Sequence, residues 1–174
     1  HVISLNGREL VCLDTPGHAR HHICIVDRKA KAIFTGDMFG LSYRELDVDS
    51  RQFIFPTTTP TQFEPDEMQA SIQRLVALQP QAMYLTHYSQ VPEVQAQGAE
   101  LLRHLDALVA MAQGEQGAGE QRHARIKQKM TDYLLAEIRR HGCQLPESTL
   151  LDIWATDLEL NAQGLGVWLD SRKA

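Results

Sequence analysis

Short apolar runs separated by polar turns occupy the first third of the chain and predict β-strands. Residues 2–5 and 10–13 flank an Asn6-Gly7 pair, which favours a tight hairpin turn because both turn positions need a positive φ. A third and a fourth strand are predicted at residues 22–26 and 32–35. We therefore expect a sheet here, with polar side chains at the ends of its strands.

The middle of the chain predicts a loop, a helix and one more strand. Residues 38–63 carry little periodicity, and a loop of this length in a compact domain usually serves a function. A helix packed on the sheet is predicted from Pro65, which suits a first turn, and from the spacing of Met68, Ile72, Leu75 and Val76. Residues 82–85 predict a short buried strand that leads into Thr86, His87 and Tyr88.

From about residue 92 onward the pattern is entirely helical. Its predicted elements are an apolar stripe over 101–109, a glycine-rich connector at 114–119, a second stripe over 126–138 that Gly142 stops, a third element from Pro146 to 158, and a last helical stretch at 165–169. The predicted fold class is α/β, with a strand-rich domain at 1–92 and a helical carboxy-terminal domain at 93–174.

Composition and charge exclude several classes of protein. The 174 residues are 43% hydrophobic and 22% charged, as in ordinary globular proteins. A formal net charge of −5 argues against a nucleic-acid partner, and no apolar run approaches the ~20 residues that span a bilayer. The cysteines Cys12, Cys24 and Cys143 have no metal-type spacing and no signal peptide is visible, so we expect reduced thiols and a cytoplasmic location.

Three predicted strands end in side chains that can bind a metal. His18 follows Thr-Pro-Gly, Asp37 follows Thr-Gly, and His87 follows Leu-Thr. Two imidazoles and one carboxylate suit zinc, and also iron or manganese. Gly17 and Gly36 directly precede two of these residues, and we expect them to let the backbone pass close to an ion without a Cβ clash.

The run LDTPGHARHHICIVDRKAKAIFTGDMFG at 13–40, followed by AMYLTHY at 82–88, resembles the second half of a metallo-β-lactamase-fold hydrolase. That superfamily includes glyoxalase II-type thioesterases and lactonases. The resemblance implies half of an αββα sandwich in front of the helical region. It also implies that His18 and His87 are metal ligands and that Asp37 bridges two metals.

The first-half motif of that family, His-x-His-x-Asp-His, has no match in this chain, which begins at His1. We expect the amino-terminal half of the domain to be removed, disordered or carried by another chain. In this interpretation His18 completes the metal held by the missing His-x-His pair. His87 completes the metal held by the missing Asp-His pair, and Asp37 lies between them.

The function implied by the resemblance is hydrolysis of an ester, thioester or lactone by hydroxide held on two divalent metal ions, with zinc first and iron or manganese as alternatives. The implied partners are a small-molecule substrate and the missing half of the domain, and no nucleic acid or membrane is expected. The leucine-rich stripes of the helical region fit either a cap over the substrate groove or a homodimer interface. Two alternatives stay open: a flavodiiron-like redox protein, which the run FTGDMFG also resembles, and a non-catalytic scaffold of the same fold.

Other residues near the motifs carry weaker expectations. His22 would orient a metal ligand. Tyr43 and Arg44, in the loop after Asp37, would bind substrate or stabilise an oxyanion, and Tyr88 would line the pocket. Away from the motifs, the expectations are solvated helix faces for His104, His123 and His141, and core or interface positions for Trp154 and Trp168.

Overall fold

A computed structural model describes residues 1–58, 62–87 and 90–172. The strands form one six-stranded sheet in sequence order: β1 Val2–Leu5, β2 Arg8–Asp14, β3 Ile23–Asp27, β4 Ala32–Gly36, β5 Ala82–Leu85 and β6 Gln90–Val91. Neighbouring strands are antiparallel except β4 and β5, which are parallel. Strands 1 to 5 match the predicted ones, whereas two-residue β6 is too short to carry a sequence pattern.

Turn chemistry closes the first hairpin as predicted. Asn6 and Gly7 have φ values of 50° and 76°, as a type I′ turn requires, and Leu5 pairs with Arg8. The parallel pair of β4 and β5 needs a long crossover, and the chain makes it through residues 37–81.

The crossover includes helix α1, Pro65–Ala77, which begins at the predicted proline. Pro65 lies in the first turn, where its missing N–H has no partner to lose. Met68, Ile72 and Leu75 are fully buried, so the predicted apolar face lies in the core.

The predicted loop at 38–63 is largely core in its described part. Phe39, Leu41, Phe53, Ile54 and Phe55 are each at most 4% exposed. Two backbone hydrogen bonds join Leu41 and Phe55, from N to O at 2.9 Å and 3.1 Å. Periodicity cannot show this burial, because irregular backbone presents its side chains without a fixed repeat.

Three more α-helices follow the sheet: α2 Val94–Gly114, α3 Arg122–His141 and α4 Glu147–Ser171. Two short 3₁₀ helices lie at Arg44–Leu46 and Gly119–Gln121. Gly142 ends α3 in the left-handed conformation, with φ 105°, as predicted. The two separate elements predicted after Pro146 are wrong, since α4 is one helix of 25 residues. Burial along its whole apolar stripe outweighs the low helix propensity of its internal glycines.

The helices pack on one another and also on the described part of residues 38–63, called the irregular segment below. Trp154 of α4 is fully buried, with ring centroids 6.1 Å from Phe53 and 6.0 Å from Phe55. Trp168 is also buried, so both tryptophans lie in the core, one of the two places expected. The domain boundary at residues 92/93 stays a prediction. Among the described helices, none combines the length and hydropathy needed to cross a membrane.

The solvated positions expected for two helix histidines are wrong. His104 is 2% exposed, and its Nδ1 lies 2.8 Å from the hydroxyl of Tyr133. His141 is half-buried against the ring of Phe53, at 5.6 Å between centroids. The irregular segment covers both histidines, a contact that the spacing within a single helix does not reveal.

Candidate metal centre

The sheet brings the ends of three strands together at one edge. His18 follows β2, Asp37 follows β4 and His87 follows β5. The Nε2 atom of His18 lies 3.4 Å from Oδ2 of Asp37, and the Nε2 atom of His87 lies 3.3 Å from Oδ1. Each oxygen of a single carboxylate therefore faces a different imidazole.

Two glycines shape the backbone around this carboxylate. Gly36 has a φ of 55°, and a Cβ there would lie 2.6 Å from Nε2 of His22. Gly17 has a φ of 126°, and a Cβ there would overlap the backbone nitrogen of Met68. The expectation that both glycines make room for an ion is corrected: the space beside them holds an imidazole and the start of α1.

His22 holds the backbone of Asp37 through a chain of hydrogen bonds. The donor and the acceptor of each bond follow from the chemical groups involved. The N–H of Asp37 donates to Nε2 of His22 at 3.3 Å, so Nδ1 carries the proton of the neutral ring. That Nδ1 donates to Oγ1 of Thr15 at 2.9 Å, and the Thr15 hydroxyl donates to Sγ of Cys24 at 3.2 Å. The Cys24 thiol donates to the carbonyl of Thr35 at 3.4 Å. Every donor on this path is thereby used.

His18 is oriented by a backbone carbonyl. Its Nδ1 lies 3.2 Å from the carbonyl oxygen of Thr57, and because a carbonyl only accepts, Nδ1 is the protonated nitrogen. Burial lowers the pKa of His18, while the bond to Thr57 and the charge of Asp37 oppose that shift. The neutral ring therefore turns the lone pair of Nε2 toward the carboxylate of Asp37.

These distances fit a metal ligand set. Within the described ranges, Oδ1 of Asp37 is buried without a hydrogen-bond partner. The separations of 3.3 Å and 3.4 Å exceed the ~2.7–2.9 Å of a charge-assisted hydrogen bond. They match the edge of a tetrahedron built from ligand bonds of ~2.0–2.1 Å, which is about 3.3 Å. Lone pairs facing a carboxylate at that spacing suit a cation between them.

The ligand set is incomplete within the described part of the chain. No group of three or more His, Cys, Asp or Glu side chains there is placed to hold one ion. His18 and His87 each lie beside Asp37. An ion beside either imidazole would therefore find two ligands here, that imidazole and Asp37, whereas a closed zinc site has four.

A cavity of about 490 Å³ opens beside these residues. Its lining includes His18, His21, His22, Asp37 and Gln62. That volume lies within the range of small-molecule sites. The cavity is open to solvent on one side, and the carboxylate of Asp37 belongs to its lining.

Other residues predicted for the site are anchored elsewhere. The Tyr43 hydroxyl donates to Oδ2 of Asp157 on α4 at 2.8 Å, and Arg44 pairs with Asp47 at 3.0 Å. Burial raises the pKa of Asp157, while the bond from Tyr43 and the charge of His87 oppose the rise. Tyr88 lies outside the described residues. The roles predicted for all three in substrate binding stay predictions.

The sequence interpretation missed two groups near the site: the carbonyl of Thr57, which contacts His18, and the side chain of Asn161, which accepts a hydrogen bond from the Thr58 N–H at 2.7 Å. A backbone carbonyl leaves no sequence signal. Asn161 leaves one, because it is a polar residue on the apolar stripe that joins Leu158 and Leu165. A polar residue at such a position is buried only when its hydrogen bonds are made.

The sequence matches no family model. Over 37 residues it is 49% identical to the acyl-coenzyme A thioesterase MBLAC2 of Gallus gallus, a match that covers 21% of this chain and 13% of that protein. The fold is similar to a metallo-β-lactamase family protein of Thermus thermophilus, with 20% identity and a TM-score of 0.49, over 64% of this chain and 35% of that one.

Two further solved structures are similar. An archaeal metallo-β-lactamase superfamily protein of Sulfolobus tokodaii is 26% identical over 63% of this chain and 37% of that one, with a TM-score of 0.49. A metallo-β-lactamase of Pontibacter korlensis is 14% identical over 61% of this chain and 45% of that one, with a TM-score of 0.44. All three of these solved structures are of metallo-β-lactamase proteins, and the chain spans less than half the length of each of the four similar proteins.

Proposed function

We propose that this chain, similar to metallo-β-lactamase family proteins, supplies half of a two-metal hydrolase that cleaves an ester, thioester or lactone. One observation carries the proposal: the two oxygens of Asp37 face the Nε2 atoms of His18 and His87 at 3.4 Å and 3.3 Å. A carboxylate between two imidazoles at ligand spacing is the arrangement that a bridging ligand needs.

In this proposal His18 and Asp37 would hold one cation, and His87 and Asp37 would hold the other. When bound, divalent ions acidify a water molecule and polarise the substrate carbonyl. His22 keeps the backbone of Asp37 in place through the hydrogen bond to its N–H. Thr57 accepts the Nδ1 proton of His18, so the lone pair of this ring is on Nε2, the atom that faces Asp37.

The remaining ligands would come from a segment that covers the open face of the sheet. Phe34 and Tyr84 are 48% and 38% exposed, and their rings stack with centroids 5.3 Å apart. Their chain neighbours Ile33 and Met83, on the opposite face, are fully buried. An aromatic face left open supports a partner segment, and we propose the amino-terminal half of the same fold as that segment.

The substrate class has one further support. The 37-residue match is to a protein named as an acyl-coenzyme A thioesterase, so a thioester is the first substrate to test. Zinc is the first metal to test, with iron and manganese next. A cytoplasmic location and a homodimer through the helical region stay predictions.

The test of the site compares Asp37→Asn with Asp47→Asn, a carboxylate in the following loop. Zinc is titrated into each chain while the histidine ring signals are followed by NMR. Each ion finds only two ligands in this chain, so the unaltered chain should bind zinc weakly, and Asp37→Asn should bind it more weakly still because the amide cannot bridge two cations. Asp47→Asn should bind zinc as the unaltered chain does; equal binding by Asp37→Asn would reject the bridging role.

The test of the reaction uses the complex or longer polypeptide in which this chain meets its remaining ligands, captured by a tag on this chain. Metal content is measured by mass spectrometry, and hydrolysis is measured with an acyl-coenzyme A, a lactone and an aryl ester. Two metal ions with hydrolysis of at least one substrate are expected. Stoichiometric iron with electron transfer and no hydrolysis would favour the redox alternative, and no stoichiometric metal would favour the scaffold.

A further inference from the structure

Asn161 is a buried polar side chain in the middle of helix α4. It is 1% exposed and lies on the apolar stripe of that helix. A buried amide without hydrogen bonds costs a few kcal/mol, so its partners explain its place. Those partners all belong to the segment at residues 56–58.

Two backbone groups determine the orientation of the amide. The N–H of Thr58 donates to Oδ1 of Asn161 at 2.7 Å, and Nδ2 donates to the carbonyl of Pro56 at 3.1 Å. A backbone N–H only donates and a carbonyl only accepts, so the amide has a single consistent orientation. The Thr58 hydroxyl also donates to the backbone carbonyl of Asn161 at 3.0 Å.

The same peptide plane joins Asn161 to His18. The N–H of Thr58 and the carbonyl of Thr57 belong to one peptide group, whose partial double bond keeps both in a plane and pointing in opposite directions. Asn161 holds the N–H side of this group at 2.7 Å, and Nδ1 of His18 donates to its carbonyl side at 3.2 Å. Rotation of the peptide would break both hydrogen bonds together.

We propose that Asn161 is a positioning residue for His18, which it acts on through the Thr57–Thr58 peptide group. By fixing the direction of the Thr57 carbonyl, Asn161 keeps the proton of His18 on Nδ1 and the lone pair of Nε2 facing Asp37. The consequence for metal binding rests on the proposed function, whereas the tautomer of His18 is a property of the chain itself.

The first measurement is the tautomer of His18, read without metal from long-range nitrogen–hydrogen NMR correlations at pH 8. The unaltered chain should hold the proton on Nδ1. In Asn161→Leu the ratio of the two tautomers should fall about tenfold, the equivalent of one lost hydrogen bond. Asn161→Asp retains an acceptor for the Thr58 N–H but has no donor for Pro56 at pH 8, so it should keep more of the Nδ1–H form than Asn161→Leu and less than the unaltered chain.

Leu158→Ala is the matched control. Leu158 is buried on the same helix, one turn before Asn161, and its aliphatic side chain cannot hydrogen-bond. This variant should lose stability without altering the tautomer of His18. If Asn161→Leu does not fold, Asn161→Ser takes its place, because a serine hydroxyl is too short to span Thr58 and Pro56.

The second measurement is zinc titration of the same variants, which separates this inference from the proposed function. Asn161→Leu should bind zinc ~10- to 100-fold more weakly at His18, as is typical when a partner that orients a ligand is lost. An altered tautomer with unchanged zinc binding would support the positioning role and count against His18 as a ligand. The positioning role is overturned if the tautomer is unchanged in Asn161→Leu or Asn161→Ser, or if Leu158→Ala alters it equally.

Discussion

Gly36→Ala tests how closely His22 is packed against the backbone that carries Asp37. An alanine at φ 55° costs about 1 kcal/mol in backbone strain. Its Cβ would meet Nε2 of His22 at 2.6 Å, so the ring must move by roughly 0.8 Å to reach ordinary contact. That movement stretches the 3.3 Å bond from the Asp37 N–H and costs about 1 kcal/mol more. We expect a total loss of about 2 kcal/mol in the free energy of unfolding.

The matched control is Gly7→Ala in the first hairpin. Gly7 also has a positive φ, 76°, but no atom of the described residues lies within 4 Å of its Cβ position. Gly7→Ala should therefore lose only the strain of about 1 kcal/mol, measured by urea denaturation at pH 7. The double variant Gly36→Ala/His22→Ala should show a coupling of about 1 kcal/mol, because the clash disappears with the ring. Equal losses in Gly36→Ala and Gly7→Ala would refute the reasoning.

Two further predictions concern stability. Burial and the neighbouring charge of Arg103 lower the pKa of His104 to about 4, so the folded chain holds the neutral ring. The resulting stabilisation of about 3 kcal/mol is present above pH 6.5 and is lost as the pH falls toward 4. Urea denaturation across this range should show that the free energy of unfolding falls more steeply with pH in the unaltered chain than in His104→Asn. The same pH dependence in both chains would contradict this prediction. In the same assay, Trp154→Ala should lower the free energy of unfolding by about 3–5 kcal/mol because Trp154 is fully buried. Its control, Leu160→Ala at an exposed position of α4, should lower it by less than about 1 kcal/mol. Similar losses for the two variants would place Trp154 outside the core.

Local chemistry explains what the sequence could predict. The hairpin at Asn6-Gly7, the start of α1 at Pro65 and the end of α3 at Gly142 each depend on the backbone preferences of one or two residues. The meeting of His18, Asp37 and His87 could be predicted because each follows a strand, and strands that run in the same direction, as β2, β4 and β5 do, end at the same edge of a sheet.

The features that could not be predicted depend on contacts distant in sequence. Burial of His104 requires the irregular segment to fold over α2, and nothing in the helix itself indicates that cover. Gly36 is adjacent to Asp37, which suggested room for an ion, yet the atom nearest its Cβ position belongs to His22. Asn161 acts 103 residues away from Thr58, and only its polar character at an apolar position gives any sign of the contact.

The hydrogen bonds from α4 to the Thr57–Thr58 peptide also set an order of events during synthesis. A ribosome adds about 5–20 residues per second, so Asn161 is made roughly 7–30 seconds after His18. During that interval the imidazole lacks the distant support for its carbonyl partner. Under the proposed function, metal capture by the nascent chain would stay weak until α4 has been made and docks against the Thr57–Thr58 peptide.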